Sequence, residues 1–204
     1  VSGIVFTHSH VDHFGGVLSV LGAAESTEII APVGFMEEAT SENVIAGTTM
    51  SRRSMYMYGS QLERSPRGHV DSGLGKGPAL GSPGIAAPTR TITTTGETLT
   101  IDGVDFVFQN APGSEAPAEL TFYLPQHKAF CGAEVVSRNM HNLYTLRGAQ
   151  VRDARKWSGY INEAMELFPE TEVYFASHHW PMWGNEAIMD FLKSISIAAS
   201  GLRA

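Results

Sequence analysis

The chain of 204 residues is 43% hydrophobic and 17% charged, a balance that supports a packed core and excludes a disordered segment. Its formal charge of −7 repels a phosphate backbone, so nucleic acid is not an expected partner, and an anionic small substrate needs local cations to override the global field. No apolar run reaches the roughly 18 residues of a membrane span, and the lone Cys131, at the end of an apolar stretch, excludes an intramolecular disulfide and reads as a buried thiol.

In chain order, "GIVF" (3–6) reads as the end of a buried strand, and "THSHVDHFGG" (7–16) as the loop leaving it. Gly15 and Gly16 open a short helix through Val17, Leu18, Val20 and Leu21, ended by Gly22. "TEIIAPV" (27–33) predicts a strand, and "FMEEATSENVIAG" (35–47) a helix with Gly47 as its stop. From Thr48 to Arg90 periodicity disappears, and the Gly, Pro and Ser content predicts one long functional or mobile loop.

Order returns at 98–109, where alternating runs flank Asp102-Gly103, a type I′ hairpin signal. "ELTFYL" and "KAFCGAEVV", separated by Pro125-Gln126-His127, predict a second hairpin. Val151, Ala154, Trp157, Ile161, Ala164, Met165 and Phe168 recur at helical spacing up to Pro169. "EVYFAS" (172–177) is a strand, "HHWPMWG" a loop and 185–199 a final helix. The class is α/β or α+β, with no linker or repeat to divide residues 1–204 into more than one domain.

His8, His10, Asp12 and His13 fall within six positions. Neutral imidazole and carboxylate are common zinc ligands, and a catalytic ion takes three, with the fourth position open. His8 and His10 alternate in extended backbone and so point the same way toward one ion. Asp12 and His13, beyond the bend, reach a second about 3.5–4 Å away. Two ions need further ligands. Glu115 and Glu119 sit on a Pro/Gly-bracketed turn between strands, Glu134 at the end of an apolar strand, and His178 and His179 just past the strand 172–177.

With these motifs the sequence resembles the metallo-β-lactamase superfamily, whose hallmark is H-x-H-x-D-H at a strand end. The resemblance is closer to the alkylsulfatase branch, through "THSHVDHFGG", "MYMYGS", "PGSEAPAEL", "FCGAEVVSRNMHNLYTLRGA", "KWSGYI" and "SHHWPMWG". Many superfamily members carry a histidine after Pro-Gly in the third motif and a bridging aspartate after Gly. Here Glu115 follows Pro112-Gly113-Ser114, and Glu134 follows Ala133, which is similar to the alkylsulfatase pattern.

The resemblance implies an αββα sandwich, incomplete at its N-terminal side, as one catalytic domain within a longer family architecture. It implies two zinc ions: His8, His10 and Glu115 on one, Asp12, His13 and His179 on the other, with Glu134 bridging. His179 is preferred on the family's spacing from Glu134, with His178 in reserve, and Glu119 is left behind the ligands or at the surface. The implied reaction is hydrolysis of an alkyl sulfate ester by a water shared between the ions, with Arg147 binding sulfate. Asn142 and Tyr58 are further substrate contacts, and Met55, Met57, Trp180 and Trp183 are candidates for an alkyl groove. The alternatives are another ester (thioester, lactone or phosphoester) and a metal-binding chain without turnover. A homodimer and a periplasmic or secreted location are implied by the family alone, and the residues leave the compartment open.

Overall fold

The computed structural model describes residues 1–22, 27–72 and 81–201. Part of the aperiodic stretch predicted as a loop, residues 73–80, therefore lies outside the described residues.

Three short strands, β1 (Gly3–Val5), β2 (Glu28–Pro32) and β3 (Arg90–Ile92), form a parallel sheet in that order. The second sheet runs β4 (Thr98–Ile101), β5 (Val104–Asn110), β6 (Leu120–Leu124), β7 (Ala129–Cys131), β8 (Val173–Phe175) and β9 (Met182–Trp183). Its pairs are antiparallel except β7–β8. A parallel pair needs a crossover, and the amphipathic helix α5 (Ala154–Leu167; numbered with the other helices below) supplies it.

The period-2 alternation of the strands builds four layers. From β2, Ile29 and Ala31 pack with Phe6, Phe14, Val17 and Phe35 under the helices α1 (Val11–Phe14), α2 (Val17–Val20) and α3 (Phe35–Thr40). Ile30, on the opposite face, joins Ile92, Phe108, Leu120, Phe122 and Cys131 between the sheets. Phe130 and Tyr174 point the other way, into a core made with Trp157 and Ile161 of α5 and Ile188 and Leu192 of α6 (Asn185–Gly201). Helix, sheet, sheet and helix follow one another, the αββα arrangement.

Local chemistry explains the boundaries. Asp102 and Gly103 both take positive φ, 52° and 80°, as a type I′ turn requires. Helix α5 begins at Ala154 rather than Val151 because the Asp153 carboxylate accepts the backbone N–H groups of Arg155 and Lys156, each at 3.0 Å. Two elements depart from expectation. Gly47 does not stop a helix: a π-helical turn (Ser41–Ile45) follows α3, and α4 (Gly47–Tyr58) continues from Gly47. No residue of α4 is buried, so it carries no apolar stripe for a pattern to reveal. The segment "HHWPMWG" contributes the two-residue edge strand β9, paired to β8.

Trp157 is fully buried and its indole N–H donates to the Val135 carbonyl, one residue past Glu134. Trp157→Ala is expected to cost about 3–5 kcal/mol of unfolding free energy, read by urea denaturation.

Candidate metal centre

The side chains of interest project from loops at the ends of β1, β7 and β8 and from the β5–β6 connection. Backbone bonds tie the first histidine loop to that connection. Leu120 N–H donates to the Thr7 carbonyl at 2.8 Å, Ser9 N–H to Ala118 at 3.2 Å, and His8 and Glu119 form an isolated antiparallel bridge.

Among the described residues two groups of ligand-type atoms result, each with its atoms within 4.8 Å of one another. The first is His8, His10, Glu115 and Glu134, all buried. Glu115 Oε2 lies 3.0 Å from His10 Nδ1 and 3.9 Å from His8 Nε2. The second group is Asp12, His13 and His178, with His13 Nε2 3.1 Å from Asp12 Oδ2 and 3.2 Å from His178 Nε2. Glu134 lies between the two. Its Oε2 is 3.0 Å from His8 Nε2 and 3.1 Å from His13 Nε2, and its Oε1 is 3.6 Å from His178 Nε2.

The donor chemistry fits divalent cations. Imidazole nitrogens and carboxylate oxygens converge without thiolate, a set suited to zinc. Glu115 Oε2, although close to His10, is a buried acceptor that receives no hydrogen bond. An unpaired buried carboxylate oxygen is costly, and a cation at that point removes the cost.

Of the two adjacent histidines, the structure groups the one held in reserve with Asp12 and His13. The ring brought to Asp12 and His13 is that of His178, while His179 stands outside both groups with its Nε2 buried and unbonded. His179 takes a left-handed φ of 71°. Counting residues from Glu134 does not register such a conformation.

The remaining candidates are placed as follows. Arg147, partly buried, donates from Nε and Nη2 to Glu42 Oε1 at 3.1 and 2.9 Å, and Glu42 Oε2 is 3.9 Å from His10 Nε2. Asn142 is exposed and its Oδ1 accepts from Arg152 Nη1 at 2.7 Å. Tyr58 is half-buried within the field of Arg147, Asp12 and Glu134, and burial pushes its phenol up. Met55 and Met57 are partly buried on α4, and Trp180 and Trp183 are exposed.

Two buried residues escaped the sequence reading. His141 Nε2 sits 3.0 Å from Glu115 Oε1 and 3.1 Å from Glu134 Oε1. Arg152 binds Glu115 through both its carboxylate and its backbone carbonyl. Both come from the irregular segment after β7: His141 lies where no periodicity marks a position, and Arg152 falls between apolar positions at helical spacing, where it reads as a solvated charge. Glu119 proves fully buried, accepting from Ser114 Oγ and from the amides of Glu115, Ala116 and Glu134.

Without metal, the charges order themselves against burial. Desolvation alone would raise the carboxylates and lower the imidazoles. The neighbours reverse this: His10 holds Glu115 at about 2, and His13 holds Asp12 at about 2. The rings around Glu134 keep it well below the usual carboxylate range. Glu115 and Glu134 raise His10 well above the ordinary imidazole value, and Asp12 and Glu134 raise His13 to about 9. Burial lifts Glu119 instead.

This fold and site define a class. The metallo-beta-lactamase superfamily model matches residues 1–178, and the chain belongs to that superfamily. Within it the likeness is to the alkylsulfatases. Over 198 residues the chain is 46% identical to a linear primary-alkylsulfatase of Pseudomonas sp. and 48% identical to the alkyl/aryl-sulfatase BDS1 of Saccharomyces cerevisiae. Each alignment covers 95% of this chain but only 29% and 31% of the relatives, so the chain spans about a third of their length. The structure of the stereoselective inverting sec-alkylsulfatase Pisa1 from Pseudomonas sp. superposes with a TM-score of 0.92 at 40% identity, over 98% of this chain and 32% of that one. The metallo-beta-lactamase FIM-1 from Pseudomonas aeruginosa, at 12% identity and a TM-score of 0.60, shares the fold.

The shifted groups predict how stability of the metal-free protein follows pH. Asp12, Glu115 and Glu134 are depressed, so their contribution is present above the ordinary carboxylate range of about 4–4.5 and is lost as pH falls through their folded values. Glu119, raised, opposes them. His10 and His13 are raised, so theirs is complete below about 6.5 and is lost as pH rises through the folded values, about 9 for His13. Thermal unfolding in chelator should give a Tm plateau near pH 5–6.5 that falls toward pH 9. A Tm rising over that alkaline interval would contradict the assignment.

Proposed function

We propose that the chain carries the metal-dependent site of an alkylsulfatase, hydrolysing an alkyl sulfate ester to the alcohol and inorganic sulfate with two zinc ions. The observation that carries this reading is the Glu134 carboxylate lying between two groups of ligand atoms, His8/His10/Glu115 and Asp12/His13/His178. The likeness to the alkylsulfatases, which covers 95% of the chain, supports it. In this reading Glu134 is the shared ligand, and His178 takes the place first given to His179. When bound, the ions supply Lewis acidity and make hydroxide available near neutral pH.

The chain's own residues do the rest. Asp12 and Glu134 complete the catalytic groups by fixing the second position and the midpoint between the two. Arg147 offers sulfate the planar guanidinium donors that Glu42 leaves over, an arrangement suited to an oxyanion. Asn142 and Tyr58 add hydrogen bonds to the ester. Attack falls on the ester carbon, and sulfate departs with carbon–oxygen cleavage.

Sulfate release from a medium-chain alkyl sulfate, below its micelle concentration, tests the reading. Zinc-loaded protein should release sulfate, and His10→Ala should lose at least the roughly 10–100-fold that even outer partners of a metal ligand are worth. No release by the zinc-loaded protein would sink the assignment. In ¹⁸O-labelled water the label should enter the alcohol; label in the sulfate would overturn attack at carbon.

A further inference from the structure

Glu115 is held asymmetrically. Its Oε1 accepts a hydrogen bond from Arg152 Nη2 and lies 3.0 Å from the His141 Nε2 that also meets Glu134, whereas its Oε2 lies 3.0 Å from His10 Nδ1 and 3.9 Å from His8 Nε2 and receives no hydrogen bond. Arg152 is itself buried, 7% exposed, and each of its three guanidinium nitrogens donates. Nε donates to the Glu115 carbonyl, Nη2 to the Glu115 carboxylate, and Nη1 to the carbonyl and side-chain oxygens of Asn142 at 2.8 and 2.7 Å. The Arg152 N–H closes the same loop by donating to Leu143 O at 2.8 Å.

We propose that Arg152 is a positioning residue that makes Glu115 a one-oxygen metal ligand through Oε2 while tying that ligand to the Asn142 segment. This rests on the dinuclear reading above. The reasoning is geometric and electrostatic. A carboxylate with two free oxygens can rotate or chelate, and one whose Oε1 is locked by a guanidinium presents a single oxygen in a fixed direction. A glutamate at this position also adds a buried negative charge that a neutral histidine would not, and Arg152 is the buried cation in contact with it. Lysine cannot replace it, because one ammonium on a flexible stem does not reproduce a planar fork bonded to two residues at once.

The test is zinc affinity, read by competition with a chromophoric chelator on the metal-free protein and its variants, with no substrate present. Wild type should take up two equivalents. In Arg152→Lys and Arg152→Gln one equivalent should weaken by about 10–100-fold, with the other changing less than about threefold. Asn142→Ala, which cuts only the far end of the fork, should keep both. Should the glutamine variant not fold, the lysine variant, which retains the buried charge, carries the test. Wild-type affinity for both equivalents in the arginine variants would overturn the proposal. So would an equal loss at both sites, or a loss reproduced by Asn142→Ala, which would place the effect in the loop rather than in Glu115. A wild type that binds no zinc overturns it together with the metal assignment. Zinc uptake as expected but no sulfate release would count against the alkylsulfatase reading alone.

Discussion

The constraint on which this structure turns is the burial of negative charge. Glu115, Glu119 and Glu134 are at most 3% exposed and all lie within 4 Å of a single imidazole, that of His8, which is itself inaccessible. Carboxylates in such surroundings persist only if each is paired and hydrogen-bonded. Each solves the problem differently. Glu119 spends its oxygens on a hydroxyl and three backbone amides, Glu115 gives one oxygen to Arg152 and sets the other beside His10 without a hydrogen bond, and Glu134 lies within 4 Å of five imidazoles.

Glu119 makes the other two possible. Its Oε2 gathers the amides of the turn that carries Glu115, and its Oε1 takes the amide of Glu134 itself. One side chain thus sets the distance between two ligand-bearing loops, and the backbone bridge to His8 brings in a third. The apolar contacts between the sheets, Ile30 and Ile92 against Phe108 and Leu120, bring the layers together, and the carboxylate network fixes their edges in register.

Legibility in the sequence followed locality. His8, His10, Asp12 and His13 are readable because ligand-type residues one to five positions apart need no tertiary information to be recognised. Strands and the long amphipathic helices were readable for the same reason, since their period is local. Glu115 and Glu134 became legible through resemblance to a family, and Glu119, the structural hub, was indistinguishable from a surface charge. His179 was preferred to His178 on spacing from Glu134, and which of two adjacent rings approaches Asp12 and His13 depends on tertiary contacts that spacing does not carry. Helix α4 was lost because nothing on it is buried. His141 and Arg152 were lost because their roles exist only in contacts to residues far along the chain.

The segment from 139 to 153 unites these threads. It lies between β7 and α5 without regular structure, yet it contributes His141 and Arg152 to the glutamates and presents Asn142 and Arg147 beside them. Irregular backbone of this kind has no ladder of its own. Its order comes from the far side of the site: Glu115 through Arg152, Glu134 through His141, and Glu42 through Arg147. The same carboxylates that gather the imidazoles therefore also hold the segment that carries Asn142 and Arg147. On the proposed reading, the groups that would hold metal and those that would bind the ester share one set of buried charges, so a substitution among either acts on the other through those charges.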